Sequence, residues 1–422
     1  MQKVVAVVRH ITAEWWSGSK WSVKGCWVGV LLLLVGGGCA GRNSARPGKG
    51  QEFHPNPERL ADLRTFDWIV TEAEQGDSVL HQWANRLQQA RLQWQRGALA
   101  SANRYHMFGD ISDVVIDSEG RVIVLDFDNQ EVRLYDPSGQ FVEVVGKQGE
   151  GPGEYMQAGY LLIGENDSLY VYDNTRGFFV VYHRNENGYA FKRILDLPER
   201  IPGLDYVCLQ NERYIVINKP PYYSFNDPLF YKVDIMNNRL VNMDNHRHYM
   251  VEEKERFLNL LVHRAFMACG SKHVVGAFLY YPIIDILFSN DGNVHHVFLK
   301  HIVLQPFLMK GNSRARYFPS EVFIKEFSYS GKLDKPSGIT LLSDEILLYV
   351  FVRYEAERGK VLRKYPMAYL MNLNNKKAML LNLENYPFAV IEAYRDSILV
   401  GYRWDMYQRD IPHIAYYVLP KK

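Results

Sequence analysis

Cysteine is scarce in this chain, and so is any surplus of charge. Four cysteines are spread over 422 residues, without a Cys-x-x-Cys pair or a His-rich spacing. A structural zinc site is therefore not expected. Lys and Arg number 49 against 47 Asp and Glu, and that balance gives no electrostatic basis for nucleic-acid binding. After Cys39 no stretch reaches the roughly 18 continuous apolar residues that a membrane span requires. No nucleophile elbow is present. The histidines at 183, 263, 273, 295, 296 and 413 fall mostly on expected outer-strand or turn positions, so no Ser-His-Asp arrangement can be argued. What the chain does have is aromatic residues, 14% of the total, within many short apolar runs. That composition suits an all-β protein.

The N-terminus reads as a targeting segment. Lys20 and Lys24 precede an apolar run, Cys26–Val35, too short for an ordinary transmembrane helix. The run ends in Gly36-Gly37-Gly38-Cys39. Small residues before a cysteine, after an apolar core, resemble a bacterial lipobox. The resemblance implies that Cys39 becomes the lipidated first residue and anchors the protein to a membrane. A plain cleaved signal peptide is the other reading. Residues 40–58 are rich in Gly, Pro and polar side chains and read as a flexible tether. The organisation expected is a lipoprotein signal peptide over 1–39, a tether over 40–58 and one domain over 59–422.

Within that domain the chain repeats. Ile111–Asp126 lies over Ala158–Asp173 without a gap at an offset of 47 residues, placing Val115 on Leu162, Ile116 on Ile163, Val122 on Leu169 and Val124 on Val171. Short strands with a period of 40–50 residues are the signature of a β-propeller. With strands named a to d outward from the pore, six a–b turns are recognisable: Asp117–Gly120, Glu165–Ser168, Gln210–Arg213, Gly270–His273, Ser343–Glu345 and Tyr394–Ser397. The last blade ends after Ile414–Leu419 and lacks a fourth strand, which would leave an open edge. Phe66–Thr71 is the expected donor, closing the ring as an N-terminal clasp. Val79–Arg96 has apolar residues at helical spacing and is expected as an inserted amphipathic helix before blade one; residues 249–265 are a second candidate. The fold class is all-β, a six-bladed β-propeller. Cys208 and Cys269 fall on inner strands of neighbouring blades, either as small buried apolar residues or as a disulfide.

Gly146-Lys147-Gln148-Gly149-Glu150-Gly151-Pro152-Gly153-Glu154-Tyr155 is similar to the connection after blade one in six-bladed, NHL-like propeller lipoproteins of Bacteroidetes. The preceding DSEGRVIVLDFDNQEVRLYDPSGQF and the earlier FDWIVTEAEQGDSVL also resemble that family. The resemblance covers residues 66–182 and implies fold and address, not chemistry. The glycine-rich connection is not a phosphate cradle, because no Lys-Ser/Thr follows it.

In a propeller the b–c and d–a loops share one rim. Its expected b–c tips carry Asp126-Phe127-Asp128, Asp173-Asn174-Thr175-Arg176, Tyr222-Tyr223, Tyr280-Tyr281, Arg353-Tyr354 and Arg403-Trp404. Aromatic and Arg enrichment marks binding surfaces. Candidate ligand-binding residues are therefore Asp128, Arg176, Tyr222, Tyr223, Tyr280, Tyr281, Arg353, Tyr354, Arg403 and Trp404. The expected function is a non-catalytic, membrane-anchored module facing the periplasm that binds a glycan, peptide or protein partner and needs no cofactor. The alternative is a metal-assisted hydrolase or lactonase at the pore mouth. In that reading Asp126 and Asp173, with nearby Asp128, Asn129 and Asn174, hold calcium or another divalent cation. Their bland role is to cap turns through side-chain to backbone bonds.

Overall fold

The computed structural model describes residues 51–53, 66–71, 77–164, 166–198, 206–218, 229–242, 264–288, 294–304, 307–309, 315–316 and 320–421. The expected lipobox with Cys39, Tyr222 and Tyr223, and nearly all of the 249–265 segment lie outside them.

Six antiparallel sheets form the blades. Blade one contains Ile111–Ile116, Val122–Asp126, Glu131–Tyr135 and Phe141–Lys147. Blade two contains Ala158–Ile163, Leu169–Asp173, Phe178–Arg184 and Tyr189–Asp196. Blade three contains Tyr206–Gln210, Tyr214–Asn218, Phe230–Asp234 and Arg239–Asn242. Blade four contains Ala265–Cys269, His273–Phe278, Ile283–Phe288 and Val294–Leu299. Blade five contains Gly331–Leu341, Ile346–Glu357, Lys360–Asn372 and Lys377–Asn382. Blade six contains Val390–Arg395, Ile398–Tyr402 and Ile414–Val418. Each inner strand touches the inner strands of both neighbouring blades, and the sixth touches the first. The ring is therefore closed. Strand b is buried on both faces, as in Val122–Asp126 and Leu169–Asp173, because a neighbouring blade packs on each side. This is why these strands read as continuous apolar runs.

An N-terminal clasp closes blade six, but its donor is Arg91–Arg96 rather than Phe66–Thr71. Trp94 pairs with Tyr416 across the antiparallel ladder, and their rings stack at 5.0 Å. Trp94 Nε1 donates to Pro137 O at 2.9 Å. Gly139 has φ +79°, and a Cβ there would lie 2.6 Å from the Trp94 ring, so the blade-one turn must be glycine to receive the clasp. The expected helix is correspondingly shorter, Ser78–Gln88, capped by Asp77, whose Oδ1 accepts from Leu80 N at 2.8 Å. Ala90 and Trp94 continue the helical spacing by coincidence, while the unpaired edge of blade six claims Arg91–Arg96 as a strand. Trp68–Val70 lies parallel on the outer strand of blade four as a fifth strand, with Trp68 opposite Val297.

Gln51–Phe53, expected within the tether, pairs antiparallel with Phe307–Met309. Those residues therefore belong to a small three-stranded sheet. Cys208 and Cys269 form a disulfide, S–S 2.08 Å, which ties the inner strands of blades three and four; the reading of two separate apolar residues is replaced.

The a–b rim carries a repeated latch. A carboxylate in one a–b turn accepts a backbone N–H from the preceding blade's turn. Asp167 accepts from Ser118 N at 2.8 Å, Asp344 from Ser271 N at 2.7 Å, and Glu212 from Asn166 N. Both serine hydroxyls also donate to their partner carboxylate.

Candidate functional site

The b–c rim is built on three buried polar caps. Asp126, Asp173 and Asn218 each end a strand b and are fully buried. Asp126 accepts from Gly109 N at 3.2 Å and Asn129 Nδ2 at 2.9 Å, and pairs with Arg133 Nη1 at 3.0 Å. Asp173 accepts from Met156 N at 2.8 Å, Thr175 N at 3.0 Å and Arg176 N at 3.1 Å. Asn218 Oδ1 accepts from Ala265 N at 3.0 Å, reaching into the next blade. These groups fold the rim loops against the ring. Burial pushes the Asp126 carboxyl above its ordinary value, opposed by Asn129 and Arg133.

This geometry leaves little for a cation to take. The oxygens of Asp126 and Asp173 are engaged by donors, and the two residues act as turn caps. Among the described residues no group of three or more His, Cys, Asp or Glu is placed to hold a metal ion.

The proposed contact residues divide into two sets. Asp128 is exposed, while Arg176, Arg403 and Trp404 are half-buried. Arg403 forks onto Asp405 at 3.1 Å through Nε and Nη2, and Trp404 stacks on Tyr407 at 5.6 Å. Tyr280, Tyr281, Arg353 and Tyr354 are instead interior. Tyr280 and Tyr281 belong to the core between blades three and four, and Tyr354 to the core under blades five and six. Arg353 is buried and grips Asp334 through Nε at 2.7 Å and Nη2 at 3.0 Å. Tyrosine supplies bulk between diverging blades, so an aromatic at a blade end is as readily packing as contact.

Arg353 and Tyr354 also do not form a tip. The b–c hairpin of blade five runs on to Arg358 and Gly359, with strands of 12 and 13 residues against 5 in strand b of blades one, two, three and six. Its outer part carries Glu355, Glu357, Lys360, Arg363 and Lys364, with Leu362 65% exposed. The signal for this extension was Glu357-Arg358-Gly359, a turn flanked by strand-like sequence on both sides. Beside blade one, Tyr105 stacks on Phe141 at 3.6 Å and Arg104 pairs with Glu131 at 3.0 Å; neither was marked by any motif.

With the fold and rim in place, residues 104–291 match the DUF5128 family model, described as a 6-bladed beta-propeller. The chain is a six-bladed β-propeller. No curated protein sequence matches it. Among solved structures it is similar to a protein described as exported from Bacteroides fragilis, with 10% identity, TM-score 0.48, and coverage of 84% of this chain and 99% of the other. It is also similar to a DUF4221 member from Bacteroides vulgatus, with 9% identity, TM-score 0.48, and 79% and 98% coverage. A third similarity is to virginiamycin B lyase from Staphylococcus aureus, with 10% identity, TM-score 0.41, and 79% and 100% coverage. No activity or partner passes from these three to this propeller.

Proposed function

We propose that this propeller is a membrane-anchored envelope protein that binds a peptide or protein partner, without catalysis, through its b–c rim. The observation that carries the reading is the blade-five hairpin. A rigid ring with three strands of blade five lengthened on one rim, bearing an exposed Leu362 among charges of both signs, has the makeup of a protein contact with an apolar centre and polar border. Asp128, Arg176, Arg403 and Trp404 extend the same rim. The Cys208–Cys269 disulfide supports an oxidising compartment, consistent with the targeting segment and with Cys39 as the anchor. No helix among the described residues is long and apolar enough to cross a membrane.

The test is thermal unfolding of the full chain in detergent against peptides, oligosaccharides and divalent cations, since a ligand of the native state raises the midpoint. A peptide-induced shift, lost in Leu362→Asp, is expected. A shift with an oligosaccharide alone, lost in Trp404→Ala, would transfer the proposal to a glycan. A shift with calcium alone would return the metal-dependent hydrolase to first place.

A further inference from the structure

One buried histidine is held in a way that acid would undo. His413 directly precedes the last strand of blade six, Ile414–Val418, and is fully buried. Both ring nitrogens are engaged. Arg403 N donates to Nε2 at 2.9 Å, and Nδ1 lies 2.8 Å from Ile411 O. A backbone N–H can only donate and a carbonyl can only accept. The ring is therefore neutral, with its one proton on Nδ1. Its two bonds hold both ends of the b–c loop of blade six, 403–411, which carries the short helix Trp404–Tyr407. Packing keeps the residue in place. The Tyr402 ring meets the imidazole edge-on at 5.2 Å, and Gly97 lies against its backbone, where an added Cβ would come within 2.4 Å of His413 Cα.

We propose that His413 is an acid-sensitive catch that releases the blade-six rim loop when its ring is protonated. An imidazolium carries N–H on both nitrogens and cannot accept from Arg403 N. The closed loop therefore has no place for a proton at Nε2, whereas the ring of an opened loop titrates at the ordinary value of about 6.5. Closure is fully stable above that pH. Below it the opening equilibrium rises by up to about tenfold per pH unit, because the open form binds the proton.

The charged groups around the loop do not produce this dependence. Arg403 forks onto Asp405 on the loop itself, and Arg96 stands opposite Ile414 on the clasp strand; both arginines stay charged throughout this range. Asp410 interacts with Lys335 and Lys364 of blade five and with Glu321. Burial raises the Asp410 carboxyl, so the closed loop gains stability from it as pH falls, which is the opposite sign. What release means for a partner rests on the b–c rim reading, since Arg403 and Trp404 ride on this loop. The catch itself is read from the chain alone.

The experiment is hydrogen exchange of the full chain in detergent, read by mass spectrometry over 403–413 at pH 7, 6 and 5 and corrected for the intrinsic exchange rate. Protection is expected to fall roughly 20-fold between pH 7 and 5, while Val122–Asp126 of blade one stays unchanged. His413→Gln, whose side-chain oxygen accepts from Arg403 N without titrating, should abolish the fall, and Asp410→Asn should keep it. Equal protection at all three pH values, or the same fall in His413→Gln, would overturn the proposal. If His413→Gln does not fold, nitrogen-15 spectra of the histidines in the native chain decide. His413 should leave its single-proton form only together with the loop's protection, and a ring that gains its second proton while the loop stays protected would overturn the proposal. No partner is present in these measurements, so their failure leaves the b–c rim proposal standing.

Discussion

The two rims of the ring use carboxylates in opposite ways. On the a–b rim Asp167 and Asp344 sit in turns and accept from serines of the preceding blade. Burial alone would raise these carboxyls, but the Ser118 and Arg184 bonds to Asp167, and the Ser271 bonds to Asp344, outweigh it and hold both below the ordinary value. On the b–c rim Asp126 and Asp334 are buried within blades and paired with Arg133 and Arg353. There burial prevails over the arginine and raises both carboxyls. The a–b latches join blade to blade and restrict what that rim can vary. The b–c ion pairs each join strands of one blade, and it is on this rim that the blade-five hairpin lengthens.

Breaking the inner pairs should cost most. Asp334→Ala leaves Arg353 buried with only the His301 carbonyl at 3.3 Å, and should lower the unfolding free energy in urea by about 3–5 kcal/mol. Replacing both Cys208 and Cys269 by serine opens a cross-link spanning 61 residues and should cost about 2–4 kcal/mol. Asp126→Ala should cost less than Asp334→Ala, about 2–3 kcal/mol, because Arg133 keeps Glu131 at 2.8 Å. Asp344→Ala, which removes a single latch, should cost about 1 kcal/mol. A latch variant that costs more than Asp334→Ala would reverse the ranking of the rims.

Acid sharpens the same contrast. Asp167 and Asp344 are depressed in the folded state, so their contribution is complete above the ordinary 3.8 and is lost as pH falls through their folded values. Asp126 and Asp334 are raised, so the folded state takes up their protons first and their contribution to stability grows as pH falls through the folded values. Asp167→Asn with Asp344→Asn should therefore flatten the loss of stability below about pH 4. Asp126→Asn should steepen it. Urea midpoints measured from pH 6 to 3 report both slopes.

Much of the ring was legible because strand and turn chemistry are local. All six a–b turns lie where polar residues interrupt apolar runs, and Asp126 and Asp173 proved to be the caps that their place after strand b implied. The clasp needed information that one segment does not contain. Arg91–Arg96 could extend a helix or pair as a strand, and only the open edge of blade six decides between them. Trp68–Val70 had a strand pattern, but nothing in it names blade four as its neighbour. The rim was less legible than the ring. Tyr280, Tyr281 and Tyr354 have a contact residue's composition and a core residue's position, and burial between blades is a non-local property. Arg353 looked like a rim cation because Asp334, its partner, is 19 residues earlier on another strand.

Site-specific photo-crosslinking in the producing cell tests directly the proposal that a partner approaches the b–c rim. A benzophenone side chain would replace Asp128 or Leu362 on the b–c rim, and Glu119 or Asn211 on the a–b rim. Discrete adducts from the first pair alone, lost when Trp404→Ala is added, are the predicted result. Equal or stronger adducts from Glu119 and Asn211 would place the partner on the a–b rim instead.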